Sequence, residues 1–480
     1  MLKNNDIQLV MTKAANAARE FGQFNQEQTN RVLKAAYEAG FNQRVRLAKM
    51  AFEETGIGKW EDKVIKNVIA TRYVYRDIAN MQSVGILSED EASGIVQIAR
   101  PIGPIFAVTP ITNPTSTVMF KILIALKTRN PIIIYPHGAA RNCSVEAARI
   151  CYEAAVDAGA PENCVQWVKR ASREEVIQLM GHKQTALILA TGSVSLVRAA
   201  YSSGNPAIGV GPGNVPVYIG KTADVSSTVS QILSSKTFDN GTICASEQAV
   251  VVSRYNAKEV KAEFIRRKAR FLNDEEIAKI EPVVFSRANK VMNVEVIGKP
   301  AYVIAKMAGI DVPEDTSVLI APLGDKVGLD SPLSLEILAP VLAYYEVNSF
   351  QEGIEMCRKI NIHGGLGHTV SIFSNDDDKI RYFAAEMNAG RVLVNTPASQ
   401  GALGGGFNGL QPSLTLACGA GGKNITTDNI SARHLLNIQR IAYRKEDRCA
   451  ICDEDLYSNE SLTAAVVEEE CEKRYRLQQK

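Results

Sequence analysis

A cysteine between a chain reversal and an apolar strand is a candidate nucleophile, and Ser235-Lys-Thr-Phe-Asp-Asn-Gly-Thr-Ile-Cys-Ala-Ser-Glu-Gln248 has that form. Asn240-Gly241 favours a turn, and Ala249-Val-Val-Val252 reads as a buried strand. Cys244 therefore lies outside a regular element. There, partial exposure and a pKa lowered by neighbouring dipoles or cations would make its thiol reactive. A single cysteine is otherwise an inert core residue, so the elements around it must decide.

Those elements read as α/β. Up to about residue 75 the chain is helical, with Val32, Leu33, Ala36 and Ala39, then Val45, Leu47, Ala48 and Ala51, at three- and four-residue spacing. Gly85 and Gly94 then punctuate two short segments, the second alternating through Ile95-Val-Gln-Ile-Ala99, which predicts a hairpin. From Pro101 short apolar strands alternate with helices: 105–108, 131–135, 165–168, 186–190 and 217–219 as strands, 115–127, 144–158 and 194–201 as helices. After Cys244 a second series follows, with strands at 249–252, 317–320, 341–345, 370–373 and 391–394 and a helix over 257–272. Such series predict two doubly wound parallel sheets, which bind ligands at the carboxyl ends of their strands. A nucleotide domain beside a catalytic domain is the organisation expected.

Composition sets bounds. The 480 residues are 46% hydrophobic and 22% charged, with 54 Lys plus Arg against 52 Asp plus Glu. That balance gives no electrostatic case for nucleic acid or an acidic membrane. The N-terminus lacks the apolar core of a signal peptide, and no continuously apolar run approaches the roughly 18 residues of a membrane span. The nine cysteines lack framework spacing, so reduced thiols and a cytoplasmic location are expected.

The Cys244 segment resembles the active-site stretch of CoA-acylating aldehyde dehydrogenases, and most of all the aldehyde dehydrogenase half of bifunctional aldehyde–alcohol dehydrogenases. Further stretches carry the resemblance: Glu61-Asp-Lys-Val-Ile-Lys-Asn67, Thr112-Asn-Pro-Thr-Ser116, Leu126-Lys-Thr-Arg-Asn130, Ala199-Ala-Tyr-Ser-Ser-Gly204, Pro206-Ala-Ile-Gly-Val-Gly211, His363-Gly-Gly-Leu-Gly-His-Thr369, Asn395-Thr-Pro-Ala-Ser-Gln400 and Ser413-Leu-Thr-Leu-Ala-Cys-Gly419. It runs from about residue 5 to 440, and nothing in the 480 residues resembles the iron-dependent alcohol dehydrogenase half, so a chain without that half is expected.

The resemblance implies that Cys244 attacks a small aldehyde, acetaldehyde or propionaldehyde in type, to give a thiohemiacetal. The Asn113 amide and the Cys244 backbone N–H would hold its oxyanion. Hydride transfer to NAD would leave an acyl-enzyme, and coenzyme A would take the acyl group. Hydrolytic relatives carry a water-activating glutamate where this chain has Val210; without a base, water attack is slow and a thiol is the better acceptor. His368 would take the proton from coenzyme A. A hydrolytic dehydrogenase and a non-catalytic assembly protein are the rival readings.

The cofactor set implied is Thr109 and Pro110, His137 and Gly138, Gly192 and Ser193, Val210 and Gly211, and Glu336 with Leu338. Glu336 matches the family glutamate on the nicotinamide ribose, and the helix start after Gly192-Ser193 can face a pyrophosphate. The family pattern has glycines at Ser193 and Ser195 and a Pro-Arg pair at Gly138-Ala139; these departures leave NAD against NADP open. The domains expected are 1–83 with 102–243 for the nucleotide, 244–424 for catalysis, and 84–101 with 425–440 as an arm that pairs subunits into a homodimer or higher homo-oligomer. The tail, 441–480, is polar. It could dock a short helix carrying Leu462, Ala465 and Val466 to a bacterial microcompartment shell. Cys449 and Cys452 have only Cys471 as a third ligand nearby and no histidine in the tail, so no metal site is expected.

Overall fold

The computed structural model describes residues 4–168, 170–444 and 464–478. The chain forms two compact units, Met1–Ser83 with Pro101–Asn437, and Val84–Arg100 with Ile438–Lys480. Cys449, Cys452 and Leu462, with the side chains of Ala465 and Val466, lie outside the described residues.

In the larger unit, helices α1 (Asn4–Phe21), α2 (Gln26–Asn42), α3 (Arg44–Thr55) and α4 (Trp60–Val68) come first, and α4 passes through a π-turn at Ile69–Tyr73 into α5 (Val74–Ile78). In the smaller unit, β1 (Gly85–Asp90) pairs antiparallel with β2 (Ile95–Pro101), the hairpin expected from Gly85 and Gly94.

Five strands then build a parallel sheet: β3 (Ile105–Thr109), β4 (Ile132–Pro136), β5 (Val165–Trp167), β6 (Leu187–Thr191) and β7 (Ala207–Val210), in the order β5-β4-β3-β6-β7. All five residues of β3 are buried, as a strand covered on both faces requires. Helix α6 (Pro114–Lys127) is buried on every side, beyond the single apolar face its periodicity predicts. It packs under α2 and α7 (Arg141–Asp157) as well as against β3 and β4. Its Lys121 Nζ donates to the carbonyls of Val108 (2.6 Å) and Leu189 (2.9 Å), joining β3 to β6 near their carboxyl ends.

The second sheet has seven strands: β8 (Val215–Ile219), β9 (Glu247–Ser253), β10 (Arg270–Phe271), β13 (Leu319–Pro322), β14 (Val341–Val347), β15 (Gly367–Phe373) and β16 (Ala389–Val394), ordered β10-β13-β14-β9-β8-β15-β16. A small hairpin of β11 (Phe285–Ser286) and β12 (Val291–Met292) stands apart from it.

Three sequence expectations need correction here. The strand at 217–219 was assigned to the first series, but β8 pairs with β9 and β15, so the second sheet begins about thirty residues before Cys244. Local apolarity cannot tell which neighbour a buried strand will choose. The helix expected over 257–272 stops at Arg266, where Lys268 turns left-handed (φ 67°) and the chain enters β10. The arm piece expected at 425–440 enters its strand, β17 (Leu436–Ala442), only at Leu436, and residues 425–435 belong to the larger unit.

β17 completes a three-stranded sheet with β1 and β2, where Arg100 Nε donates to Gln439 Oε1 (3.1 Å). The tail helix runs Ala464–Gln478. Among the described residues no helix is long and apolar enough to cross a membrane.

Candidate active site

Cys244 sits between a short 3-10 turn, Phe238–Gly241, and β9, partly exposed as a nucleophile requires. Asp239 (φ 49°) and Asn240 (φ 52°) are both left-handed, a costly pair for residues with a Cβ. Their side chains hold the turn. Asn240 Nδ2 donates to Gly298 O (2.9 Å), and Asp239 Oδ1 accepts the Lys59 N–H (2.7 Å). Asp239 Oδ2 takes the ammonium groups of Lys63 (2.9 Å) and Lys66. Burial alone would raise the Asp239 carboxyl, yet the Lys66 and Lys63 charges hold it below the usual carboxylate range. Gly58 is required beside it, because a Cβ there would lie 1.9 Å from Asp239 Oδ1.

His368 Nε2 lies 3.2 Å from Cys244 Sγ. The turn at 363–366 ends at Gly367, and His368 is the second residue of β15 and wholly buried. Its Nδ1 meets Thr369 Oγ1 at 2.9 Å, and Arg391 of β16 donates to that oxygen (3.2 Å), to His368 O (2.8 Å) and to Ala417 O (2.8 Å). Burial, with the Arg391 charge, pushes the imidazole down to about 3, so it is neutral at pH 7.

The sequence predicted a depressed thiol pKa; the structure reverses that. Burial, then the charges of Glu336 and Cys418, push Cys244 up to about 12, and Arg391 offsets only part of this. The resting pair is thiol and neutral imidazole.

Glu336 accepts the Gly213 N–H (2.9 Å), and burial raises its carboxyl to about 7. A Cβ on Gly213 would stand 2.2 Å from Cys244 O and 3.2 Å from His368 Cγ. Only glycine lets this loop close over the nucleophile. Lys236 Nζ bridges Gln248 Oε1 (2.9 Å) and Ile337 O (3.0 Å), tying the Glu336 loop to the strand after Cys244.

Asn113 caps α6 by position without a side-chain cap bond. Its Oδ1 instead accepts from Lys66 Nζ (2.7 Å), which also donates to Thr242 Oγ1 (2.9 Å); its Nδ2 donates to Thr112 Oγ1 (3.0 Å). Lys63 Nζ reaches Thr112 O (3.3 Å). The sequence reading gave no role to Lys63, Lys66, Asp239, Thr369 or Arg391. A signal existed: α4 buries Lys63, Lys66 and Asn67 while Ile65 is 47% exposed, an inverted amphipathic face. Arg391 likewise opened a run read as an apolar strand.

The other expected residues line the carboxyl edge of the five-stranded sheet in strand order. His137 and Gly138 follow β4, with His137 Nδ1 accepting the Ala139 N–H (3.2 Å). Thr109 and Pro110 end β3, Thr191 to Ser193 join β6 to α9 (Val194–Tyr201), and Val210 and Gly211 end β7. Ser193 Oγ pairs with Ser195 Oγ (3.1 Å) and does not cap α9. Leu338 is held by its backbone to Met292 and Gly298. A cleft of about 610 Å³ opens between α9 with Gly211 and the loops bearing Gly364 and Lys423.

The buried hydroxyls of Thr109 and Thr191 and the Nε of Arg141 have no hydrogen-bond partner among the described residues. Unsatisfied donors and acceptors at strand carboxyl ends, beside an uncapped helix start and a carboxylate suited to a diol, fit a dinucleotide.

Two parallel sheets, a cysteine at their junction and this edge define an oxidoreductase architecture, and the chain belongs to the aldehyde dehydrogenase family, whose pattern matches residues 1–425. It is 43% identical over 448 residues to the bifunctional aldehyde-alcohol dehydrogenase AdhE of Escherichia coli, covering 92% of this chain and 50% of that protein. The chain thus spans about half the length of that relative. Among solved structures, an acetylating aldehyde dehydrogenase from Geobacillus thermoglucosidasius is 43% identical with a TM-score of 0.90, covering 93% of this chain and 98% of that one. A probable aldehyde dehydrogenase from Listeria monocytogenes is 45% identical with a TM-score of 0.90, covering 92% and 97%.

Proposed function

We propose that this chain is a CoA-acylating aldehyde dehydrogenase, converting a small aldehyde, coenzyme A and NAD⁺ to acyl-CoA, NADH and a proton, reversibly. The observation that carries the reading is the Cys244–His368 contact of 3.2 Å, faced by a Val210–Asn214 loop that bears no carboxylate. The similarity to an acetylating aldehyde dehydrogenase of solved structure, over 98% of that chain, supports it.

Cys244 Sγ bonds to the aldehyde carbon as its proton leaves, with His368 Nε2 the group in reach. For Nε2 to accept, Nδ1 must carry the hydrogen and donate to Thr369 Oγ1, whose other lone pair faces Arg391. The Asn113 Nδ2–H and the Cys244 N–H hold the oxyanion. Bound nicotinamide supplies the hydride acceptor, and Glu336, with the edge from Thr109 to Gly211, would hold that cofactor. After the first proton has passed from His368 to solvent, coenzyme A thiol attacks the Cys244 thioester, His368 takes the coenzyme A proton, and it returns that proton to the leaving Cys244 sulfur. Glu336 is the carboxylate whose charge reaches the thiol.

We further propose NAD as the working cofactor, with residues 1–83 and 102–210 binding it and the seven-stranded sheet presenting Cys244. The edge strands β1 and β17 are suited to pairing two copies into a homodimer. The free thiols of the described cysteines suit the cytoplasm, or a bacterial microcompartment within it, to which the tail helix would dock.

The test is NADH formation from C2 to C4 aldehydes with and without coenzyme A. Full rate without coenzyme A overturns the acylating reading. Cys244→Ala is expected to abolish NADH formation, and near-wild-type activity in it excludes the covalent route.

A further inference from the structure

The stretch Glu61–Asn67 buries two cations that the proposed mechanism does not use. Lys66 is 1% exposed and Lys63 3%, on a helix whose apolar Ile65 faces out. An ammonium group has three N–H donors and no acceptor. Lys66 spends all three, on Asn113 Oδ1 (2.7 Å), Thr242 Oγ1 (2.9 Å) and Asp239 Oδ2. These acceptors belong to the loop carrying Asn113, the residue two before Cys244, and the strained turn that feeds Cys244.

The first contact decides an orientation. An asparagine amide can rotate to present either end, but a group that only donates must face Oδ1. The Nδ2 end is thereby turned away from Lys66. One of its hydrogens goes to Thr112 Oγ1 (3.0 Å), and Lys63 fixes the Thr112 carbonyl (3.3 Å). The second hydrogen has no partner among the described residues. A cation on Oδ1 also polarises the amide and makes Nδ2–H a stronger donor.

We propose that Lys66 is a positioning residue for the thiohemiacetal oxyanion: it sets the Asn113 amide donor-outward and locks it to the Thr242–Cys244 segment. This rests on the acylating reading and on Asn113 as the oxyanion donor. Lys63 supplies the second charge that keeps Asp239 ionised, so that Asp239 anchors Lys66. Asp62, whose Oδ2 accepts the Asp239 N–H (2.7 Å), completes the set of charged groups facing it. Any buried ammonium must fill its three donors; here two of the three acceptors lie on the segments that carry Asn113 and Cys244.

The test uses the full chain with four variants, Lys66→Met, Lys66→Arg, Asn113→Ala and the Lys66→Met/Asn113→Ala double. Lys66→Met is expected to lower kcat by about 10- to 100-fold with KM for aldehyde and coenzyme A within about threefold, since a lost oxyanion donor acts on the transition state. In the Asn113→Ala background the same change should cost less than about threefold. Alkylation of Cys244 by iodoacetamide, a reaction without an oxyanion, should proceed at the wild-type rate in Lys66→Met. Lys66→Arg, still charged, should recover part of kcat. If Lys66→Met does not fold, Lys66→Gln replaces it, and kcat should fall in the order wild type, Arg, Gln.

Equal losses in both backgrounds, or alkylation slowed in step with kcat, would overturn the proposal and leave Lys66 a scaffold residue. Failure of the acylating reading looks different: the wild-type chain would form no CoA-dependent NADH, or Cys244→Ala would remain active, and the inference would fall with it.

Discussion

Around Cys244 most polar groups are held by one another, Asn214 Oδ1 and Glu247 Oε2 being exceptions, whereas along the carboxyl edge of the five-stranded sheet hydroxyls wait. Lys66 uses all three donors, both His368 nitrogens have partners, and Arg391 binds Thr369, His368 and Ala417. At the edge, Thr109 and Thr191 hold buried hydroxyls without partners among the described residues, and Ser193 leaves α9 uncapped. The first region is preorganised: its dipoles are aligned before substrate arrives, at the cost of strain at Asp239 and Asn240. The second is built to be finished by a ligand that brings its own hydrogen-bonding groups. Substitutions in the first should therefore act on kcat, and those in the second on cofactor affinity.

The largest effect expected from this contrast is at Asn113. Asn113→Ala should lower kcat by about 10²- to 10³-fold, the range for one oxyanion donor. NADH affinity by fluorescence titration should stay unchanged; a weakened NADH complex would erase the distinction between the regions.

Glu336 stands at the border. Glu336→Gln should raise KM for NAD about tenfold, because two ribose hydroxyls lose a charged acceptor. It should also speed iodoacetamide alkylation of Cys244. The Glu336 charge helps push that thiol up to about 12, so removing it lowers the pKa and enlarges the thiolate fraction at pH 8. In Glu336→Gln the alkylation rate should climb about tenfold per unit between pH 7 and 9, well below the midpoint. In the wild type it should climb more shallowly near pH 7, where Glu336 itself ionises. Slower alkylation in the variant would contradict the charge assignment.

The smallest effect should be at Thr109. Thr109→Val removes a buried hydroxyl that has no partner among the described residues, so the ligand-free chain should gain about 1 °C in Tm while NAD binds about threefold more weakly. A drop in Tm with unchanged NAD affinity would mean that the edge is already satisfied.

Much of this was legible in the chain itself. Apolar runs such as 105–108, short and flanked by Pro104 and Pro110, read as strands of a covered sheet, and Asn240-Gly241 before Cys244 marks a turn, because these are local consequences of burial and backbone freedom. Sheet membership was not local. β8 reads like the strands before it and pairs with those after it. Nor could spacing show that Lys66, 47 positions from Asn113 and 173 from Asp239, touches both. His368 and Arg391 sit 124 and 23 positions from their partners Cys244 and His368.

The thiol pKa marks the division. Residue types alone determined that a cysteine at a turn would be available for attack, through the exposure that a chain reversal provides. Only the tertiary structure decided its proton. Desolvation and the Glu336 charge, brought in from 92 residues away, outweigh Arg391, and such fields depend on distances that folding alone creates.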